Sequence, residues 1–181
     1  MWGLMTLNDK SLEVVTPKTR YGYIMAKFYE LGITVQSMAE LVYDGQKPYE
    51  PDITMAYAIE RVEKVLRRRE IQHALLVALF LDESAQKGIM PEPLQTIVAS
   101  DAGLFGVDET IALSASGLYG SIATSNMGSL DKLKPGIIGR LNDDQKEGKL
   151  VSTFIDDMIS AIVASAEASV AHNLGAPEND A

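Results

Sequence analysis

The stretch from Thr110 to Leu130, TIALSASGLYGSIATSNMGSL, contains no charged residue and follows the acidic pair Asp108-Glu109. It is rich in serine, glycine and alanine, and such small side chains let neighbouring helices approach closely on all sides. A helix with no charged face is normally enclosed by other helices. We therefore expect residues 108–127 to form the central helix of an all-α bundle.

Outward from this segment, apolar residues recur at helical spacing. Thr34 and Thr54 each precede such a run and predict helix starts, because a threonine hydroxyl caps free backbone amides. Gly32 and Gly88 predict helix ends. Between residues 54 and 88 the pattern indicates either one long helix or two with a bend.

The chain is long enough for one domain, and strand signals are nearly absent. We expect a single-domain bundle of about six helices over residues 16–173, opened by the cap and helix-start pair Thr16-Pro17. A loose arm is expected at residues 1–15 and a disordered tail at residues 174–181.

Composition excludes several functions. A net charge of −9 is unsuited to nucleic acid, whose phosphates need clustered lysine and arginine. The lack of cysteine fits a reducing cytoplasm and removes thiolate chemistry. No secretory signal is evident in residues 1–10, and the apolar run 74–81 is far shorter than the roughly 20 residues that cross a bilayer. We expect a soluble, cytoplasmic protein.

Acidic residues on otherwise uncharged segments are the main chemical signal. Two carboxylates about 5 Å apart repel by roughly 3 kcal/mol, so a cluster of them needs a cation. Oxygen ligands without histidine or cysteine select Mg²⁺ or Mn²⁺. The acids that a compact bundle could bring together are Asp101, Asp108, Glu109, Asp131, Asp156 and Asp157.

Simpler interpretations of these acids remain open. Asp108 and Glu109 suit the first turn of a helix, where acids favour the macrodipole. Asp156 and Asp157 lie off the apolar stripe of the last helix and could face water. Asp82-Glu83, after another apolar run, is a further candidate for the cluster.

Basic residues near Asp131 could hold a phosphate group. Lys132, Lys134 and Arg140 flank the turn at Pro135-Gly136, although a charged surface loop would look the same. Neither a glycine-rich phosphate loop nor a Gly-x-Ser-x-Gly elbow is present. Water activated by a metal ion is therefore the most economical nucleophile.

Three segments together resemble a known family. Asp101-Ala-Gly-Leu-Phe-Gly-Val-Asp108-Glu109 resembles the Asp-x-x-x-apolar-x-apolar-Asp-Glu motif of the phosphatidylglycerophosphatase A family. Leu130-Asp131-Lys-Leu-Lys134-Pro135 resembles that family's Arg-x-apolar-Asp-x-x-Lys-Pro segment, and Phe154-Ile155-Asp156-Asp157-Met158 resembles its closing Asp-Asp helix. Order and spacing agree over residues 74–165. Over its whole length the chain is similar to the soluble, low-temperature-requirement C branch of the family.

The resemblance implies Mg²⁺-dependent hydrolysis of phosphatidylglycerophosphate to phosphatidylglycerol, with a phospholipid phosphate or another small phosphomonoester as substrate. It implies catalytic roles for Asp108, Glu109, Asp131, Lys134 and Asp156. The implied metal ligands are Asp101, Asp108, Glu109, Asp131, Asp156 and Asp157. The candidate phosphate-binding residues are Lys132, Lys134, Arg140 and Lys149.

The chain also departs from the family pattern. Gly128 stands where the membrane-embedded branch has an arginine, and Lys149-Leu-Val-Ser152 replaces a glycine-rich lead into the Asp-Asp helix. These departures motivate an alternative, a non-catalytic regulator that binds a metal or a phospholipid headgroup. An all-α nucleoside-triphosphate pyrophosphohydrolase is a third, weaker hypothesis. Peripheral membrane contact is left open, and from the uncharged faces we expect a homo-oligomer.

Overall fold

The computed structural model describes residues 4–5, 14–15 and 19–174. Two-residue strands, β1 (Leu4–Met5) and β2 (Val14–Val15), pair antiparallel. The α-helices are α1 (Arg20–Glu30), α2 (Val35–Gln46), α3 (Met55–Leu66), α4 (Arg69–Gln86), α5 (Leu94–Ala99), α6 (Val107–Ser116), α7 (Gly120–Leu133), α8 (Gly136–Lys146) and α9 (Ile155–Leu174), with a 3-10 turn, Gly117–Tyr119, between α6 and α7.

The all-α, single-domain prediction is confirmed for the described part of the chain. Most of the predicted arm, the predicted helix start at Thr16-Pro17 and the predicted tail beyond Leu174 lie outside the described residues.

The predicted helix caps at Thr34 and Thr54 are confirmed. The Thr34 hydroxyl accepts a hydrogen bond from Ser37 N at 2.9 Å, and Ser37 Oγ accepts one from Thr34 N at 3.2 Å, which makes a reciprocal capping box. Thr54 Oγ1 accepts from Tyr57 N at 3.2 Å. Between residues 54 and 88 the chain forms two helices, α3 and α4, rather than one.

Helix α9 is the buried centre of the domain. Every residue from Ser152 to Ala168 is buried, and α9 contacts α2, α3, α4, α6, α7 and α8. Its charged residues are Asp156, Asp157 and Glu167. Alanine and serine are the main small residues of the remainder, so helices can pack closely against it on every side.

The prediction that residues 108–127 form the central helix was therefore wrong. The uncharged segment is broken at Gly120, whose φ of +85° leaves the helical region, and it divides between α6 and α7. Each helix buries only one stripe, while Leu113, Leu118 and Ile122 remain about 40% exposed. A high content of small residues did indicate a central helix, but the helix that is packed on all sides through its small residues is α9. The homo-oligomer stays a prediction.

Glu167 is a buried carboxylate in the middle of α9, far along the helix from Asp156. It is 5% exposed, and its Oε2 accepts a hydrogen bond from Asn126 Nδ2 at 2.7 Å. A Cβ at Gly45 would collide with Glu167 Oε1, so α2 passes this carboxylate at a glycine. Burial raises the pKa of Glu167 to about 7, although the bond from Asn126 opposes this rise.

This pKa predicts a pH-dependent stability that Glu167→Gln should remove. The folded protein binds the Glu167 proton more tightly than the unfolded chain, whose carboxyl has an ordinary pKa of 4.5. The stabilisation is complete below pH 4.5 and is lost as the pH rises through about 7. Glutamine stays neutral and can still accept from Asn126. The variant should thus match wild type near pH 4.5 and be more stable at alkaline pH by about 1–3 kcal/mol.

Thermal unfolding of both proteins across this pH range checks the prediction. Carboxylates elsewhere affect both proteins equally, so only the difference between the two curves matters. A constant difference at every pH would contradict it.

Candidate active site

The start of α9 is held by a carboxylate from another helix. Asp82, on α4, accepts hydrogen bonds from Phe154 N at 3.0 and 3.2 Å and from Ile155 N at 2.9 Å. The Asp82 side chain is buried, and burial raises its pKa well above the ordinary value while the two amides oppose that rise. The next two residues of the chain are Asp156 and Asp157.

An ammonium group connects the end of α7 to the first turn of α9. Lys134 Nζ donates to Asp131 Oδ1 at 2.5 Å and to Asp156 Oδ2 at 2.8 Å, and it lies 3.7 Å from Asp157 Oδ1. Lys134 ends α7 in the left-handed region, with φ +46°, and Pro135 follows it. The helix therefore stops at the residue whose side chain is shared among three acids.

The pKa values of the four groups in this contact are shifted in different directions. Burial lowers the pKa of Lys134, but Asp156 and Asp131 outweigh this and the net shift is upward. Burial raises the pKa of Asp156 to about 6 against the pull of Lys134. Burial and a hydrogen bond to Asp131 raise the pKa of Asp157 to about 9, whereas the pKa of Asp131 is lowered by Asp157 and Lys134 despite its own burial. The raised pKa of Asp157 and the lowered pKa of Asp131 favour a proton on Asp157, directed at Asp131.

Asp101 interacts electrostatically with this group and also with a further acid, Asp108. Asp108, in the first turn of α6, is buried, and its Oδ1 accepts from Glu109 N at 2.9 Å. The pKa of Asp101 is raised by burial and then by the charge of Asp108, while Lys134 and Lys146 oppose the rise. We use the name Lys134 cluster for Asp101, Asp108, Asp131, Lys134, Asp156 and Asp157.

Arg140 and Lys149 contact groups outside the Lys134 cluster, and their predicted phosphate-binding role stays a prediction. Arg140 donates to Leu31 O at 2.5 Å, at the end of α1, and to Asp144 at 2.9 Å. Lys149 pairs with Asp144 at 3.6 Å and with Glu147. Both side chains instead tie down the ends of α1 and α8.

Glu109 and Lys132 occupy exposed helical positions. Glu109 contributes its backbone amide to Asp108, and its carboxylate lies in the first turn of α6, where the macrodipole favours it. The predicted metal-binding role of Glu109 and phosphate-binding role of Lys132 stay predictions.

Two residues at the site carried little or no signal in the sequence. Asp82 appeared only as a further candidate, although an acid at the end of an apolar helical run was the signal that could identify it. Lys146 lies at the end of α8, and its effect on Asp101 depends on tertiary packing that no local pattern encodes.

The donor atoms of the cluster are of the type that a hard divalent cation prefers. Every acidic member offers oxygen, and burial together with mutual repulsion raises the pKa of Asp156 and Asp157, so a further positive charge is favourable here. Among the described residues, no three acidic or histidine side chains converge at metal-binding spacing as they lie. Lys134 Nζ occupies the space between Asp131 and Asp156.

A separate cavity of about 260 Å³ lies between α1, α4 and residues 150–151. Leu31, Leu79, Leu150 and Val151 supply its apolar lining. Asp82 is the residue that this cavity shares with the environment of the cluster.

Comparison with known proteins identifies the family. The sequence model of phosphatidylglycerophosphatase A matches residues 23–172, which include the whole Lys134 cluster. The chain belongs to the phosphatidylglycerophosphatase A family. The resemblance found in three motifs thus extends over most of the chain.

Relatives share both sequence and fold. Uncharacterized protein YutG of Bacillus subtilis (strain 168) is 44% identical over 147 residues, covering 81% of this chain and 87% of YutG. The crystal structure of low temperature requirement C protein from Listeria monocytogenes has a TM-score of 0.84 and 40% identity, covering 89% of this chain and 100% of that one. A protein of unknown function from Bacillus stearothermophilus has a TM-score of 0.80 and 45% identity, covering 84% of this chain and 94% of that one.

Within the described residues, no helix combines the length and the apolar character that a membrane span requires. The cytoplasmic location stays a prediction.

Lys134→Met should destabilise the protein, because it leaves Asp131 and Asp156 without their cation. Removing one partner of a buried pair costs about 3–5 kcal/mol, and the partial exposure of Lys134 reduces the expected loss to about 1–3 kcal/mol. Lys132→Met is the matched control, since it makes the same change at an exposed position of α7.

Urea unfolding of both variants at neutral pH provides the measurement. Equal losses in the two variants would show that Lys134 does not hold the acids together.

Proposed function

We propose that this protein is a Mg²⁺-dependent phosphatase of phosphomonoesters, with phosphatidylglycerophosphate as its substrate. Family membership points to a phosphatase. The observation that carries the proposal is the contact of Lys134 Nζ with Asp131 and Asp156, which joins two of the three family motifs at one point. The third motif contributes Asp101, whose pKa responds to the charges of Asp108, Lys134 and Asp131.

The residues suited to hold Mg²⁺ are Asp101, Asp108, Asp131 and Asp156, with Asp157 beside them. Bound Mg²⁺ would supply a Lewis acid for a phosphoryl oxygen and would make a water molecule more acidic.

Lys134 and Asp156 have distinct tasks in this proposal. Lys134 Nζ, which stays protonated, donates to a phosphate oxygen and offsets the negative charge that develops there. Asp156, whose Oδ2 accepts a hydrogen bond from Lys134 Nζ, lies beside that phosphate-binding group and accepts a proton from water. A water oxygen attacks phosphorus, its proton passes to Asp156, and the bond from phosphorus to the alcohol oxygen breaks. The leaving alkoxide takes up a proton from solvent water to give the alcohol, and Asp156 releases its proton to solvent.

Asp157 keeps Asp131 in place during this reaction. The raised pKa of Asp157 and the lowered pKa of Asp131 favour one proton shared between the two acids, which removes their mutual repulsion. Asp131 therefore remains beside Lys134.

Phosphate release from a short-chain, soluble phosphatidylglycerophosphate tests this function. Wild type should release phosphate with Mg²⁺ but not with a chelator. Asp156→Asn and Asp108→Asn should each lower kcat by about 100-fold or more, because they remove a proton acceptor and a candidate ligand. Asp52→Asn, at an exposed position before α3, is the control and should retain full activity.

Unchanged turnover and unchanged Mg²⁺ affinity in both site variants would contradict the proposal. Release of pyrophosphate from nucleoside triphosphates, with no action on the lipid, would favour the pyrophosphohydrolase alternative.

The regulator alternative is favoured by one observation, the absence of a side chain at Gly128. This residue is exposed on α7, three residues before Asp131, and a Cβ added there meets no atom within 4 Å. An arginine would fit at this position, and its guanidinium could bind a phosphate through two parallel hydrogen bonds.

Gly128→Arg should therefore lower the KM for the lipid phosphate by about 5-fold or more, without lowering the melting temperature. Gly128→Gln, of similar length but uncharged, is the control. Activity that appears only in the arginine variant would identify the wild type as a binding protein that has lost catalysis. A KM that arginine and glutamine change equally would contradict the prediction.

A further inference from the structure

The first turn of α9 lacks a local cap. The first amides of a helix have no carbonyl partner within it, and a serine or threonine just before the helix usually binds them. Ser152 and Thr153 stand at the right place. However, Ser152 Oγ donates to Leu141 O at 3.0 Å and Thr153 Oγ1 donates to Val98 O at 2.7 Å. Both hydroxyls tie this segment to other helices.

Asp82 supplies the cap from α4 instead. Its carboxylate binds the amides of Phe154 and Ile155, which lie 72 and 73 residues later in the chain. The following amides are satisfied locally, because Asp156 N donates to Ser152 O at 3.1 Å and Asp157 N donates to Asp156 Oδ1 at 2.9 Å. The Asp82 bonds thus end at the residue that precedes Asp156.

We propose that Asp82 is a positioning residue for Asp156. By binding the amides of Phe154 and Ile155, it fixes the direction in which α9 begins and so holds the Asp156 carboxylate 2.8 Å from Lys134 Nζ. This inference rests on the proposed function, in which Asp156 and Lys134 act on the phosphate. Asp82 itself acts through the backbone and not on the substrate.

The geometry requires a carboxylate at position 82. Two acceptor oxygens serve two amides, and the side chain is only 5% exposed, so no water can substitute freely. Asparagine has the same size but a single acceptor oxygen. Its NH₂ group would face one of the two amides, and that end of the helix would shift or fray.

The test compares Asp82→Asn with Thr153→Val. Thr153→Val breaks a different tether of the same segment, the bond to Val98 O, and keeps the Asp82 bonds. Amide hydrogen exchange at Phe154 and Ile155 measures whether the Asp82 hydrogen bonds are intact. The Nζ–H signal of Lys134 in ¹⁵N-labelled protein reports its contact with Asp156. Values of kcat and KM describe the reaction.

Asp82→Asn should speed exchange at Phe154 and Ile155 while the later turns of α9 stay protected, and it should broaden or remove the Lys134 signal. We expect kcat to fall by about 10-fold to 100-fold with KM changed by less than about 2-fold, because misplacement affects the reacting geometry more than binding. Thr153→Val should lower the melting temperature without changing the Lys134 signal or kcat.

Two outcomes would overturn the inference. If Asp82→Asn lowers the melting temperature but keeps kcat and the Lys134 signal below that temperature, Asp82 is a structural cap only. If kcat falls while exchange at Phe154 and Ile155 is unchanged, Asp82 acts on the chemistry directly. If wild type releases no phosphate, the proposed function fails, but the exchange and Lys134 measurements still decide whether Asp82 positions Asp156.

Discussion

The structure depends on the ammonium group of Lys134, which is surrounded by carboxylates. Lys134 Nζ lies within 3.7 Å of Asp131, Asp156 and Asp157, and these acids cannot all be ionised and buried together without it. The raised pKa of Asp157 favours one proton shared with Asp131, which would relieve part of the repulsion. The negative charge that remains would favour the divalent cation that the proposed function requires.

The fold is organised to hold that charge at one end of a buried helix. The small residues of α9 allow six helices to enclose it, and its amino-terminal end, where the macrodipole favours anions, carries Asp156 and Asp157. Side chains from distant segments then fix that end. Asp82 accepts hydrogen bonds from the first amides of α9, and Lys134 donates to the Asp156 carboxylate. An apolar helix thus presents two acids at a defined position.

The sequence predicted those features of the structure that depend on interactions between residues close together in the chain. Thr34 and Thr54 cap their helices through neighbouring amides, so the sequence sufficed for both. The acids of the cluster were also recognisable, because carboxylates on apolar segments are costly. The central helix was not recognisable, since α7 and α9 are both poor in charge and only packing decides which is enclosed. The contact of Arg140 with Leu31 O could not be predicted from a local pattern either, because the two residues are separated by 109 positions in the chain.

Anomalous diffraction from crystals soaked in Mn²⁺ tests the central claim most directly, because it locates a divalent cation without assuming a substrate. The account predicts one strong peak beside the Asp156 carboxylate and at least one of Asp101, Asp108 and Asp131, and no such peak in Asp156→Asn. Well-ordered crystals with no peak at saturating Mn²⁺, or with a peak away from these acids, would contradict it.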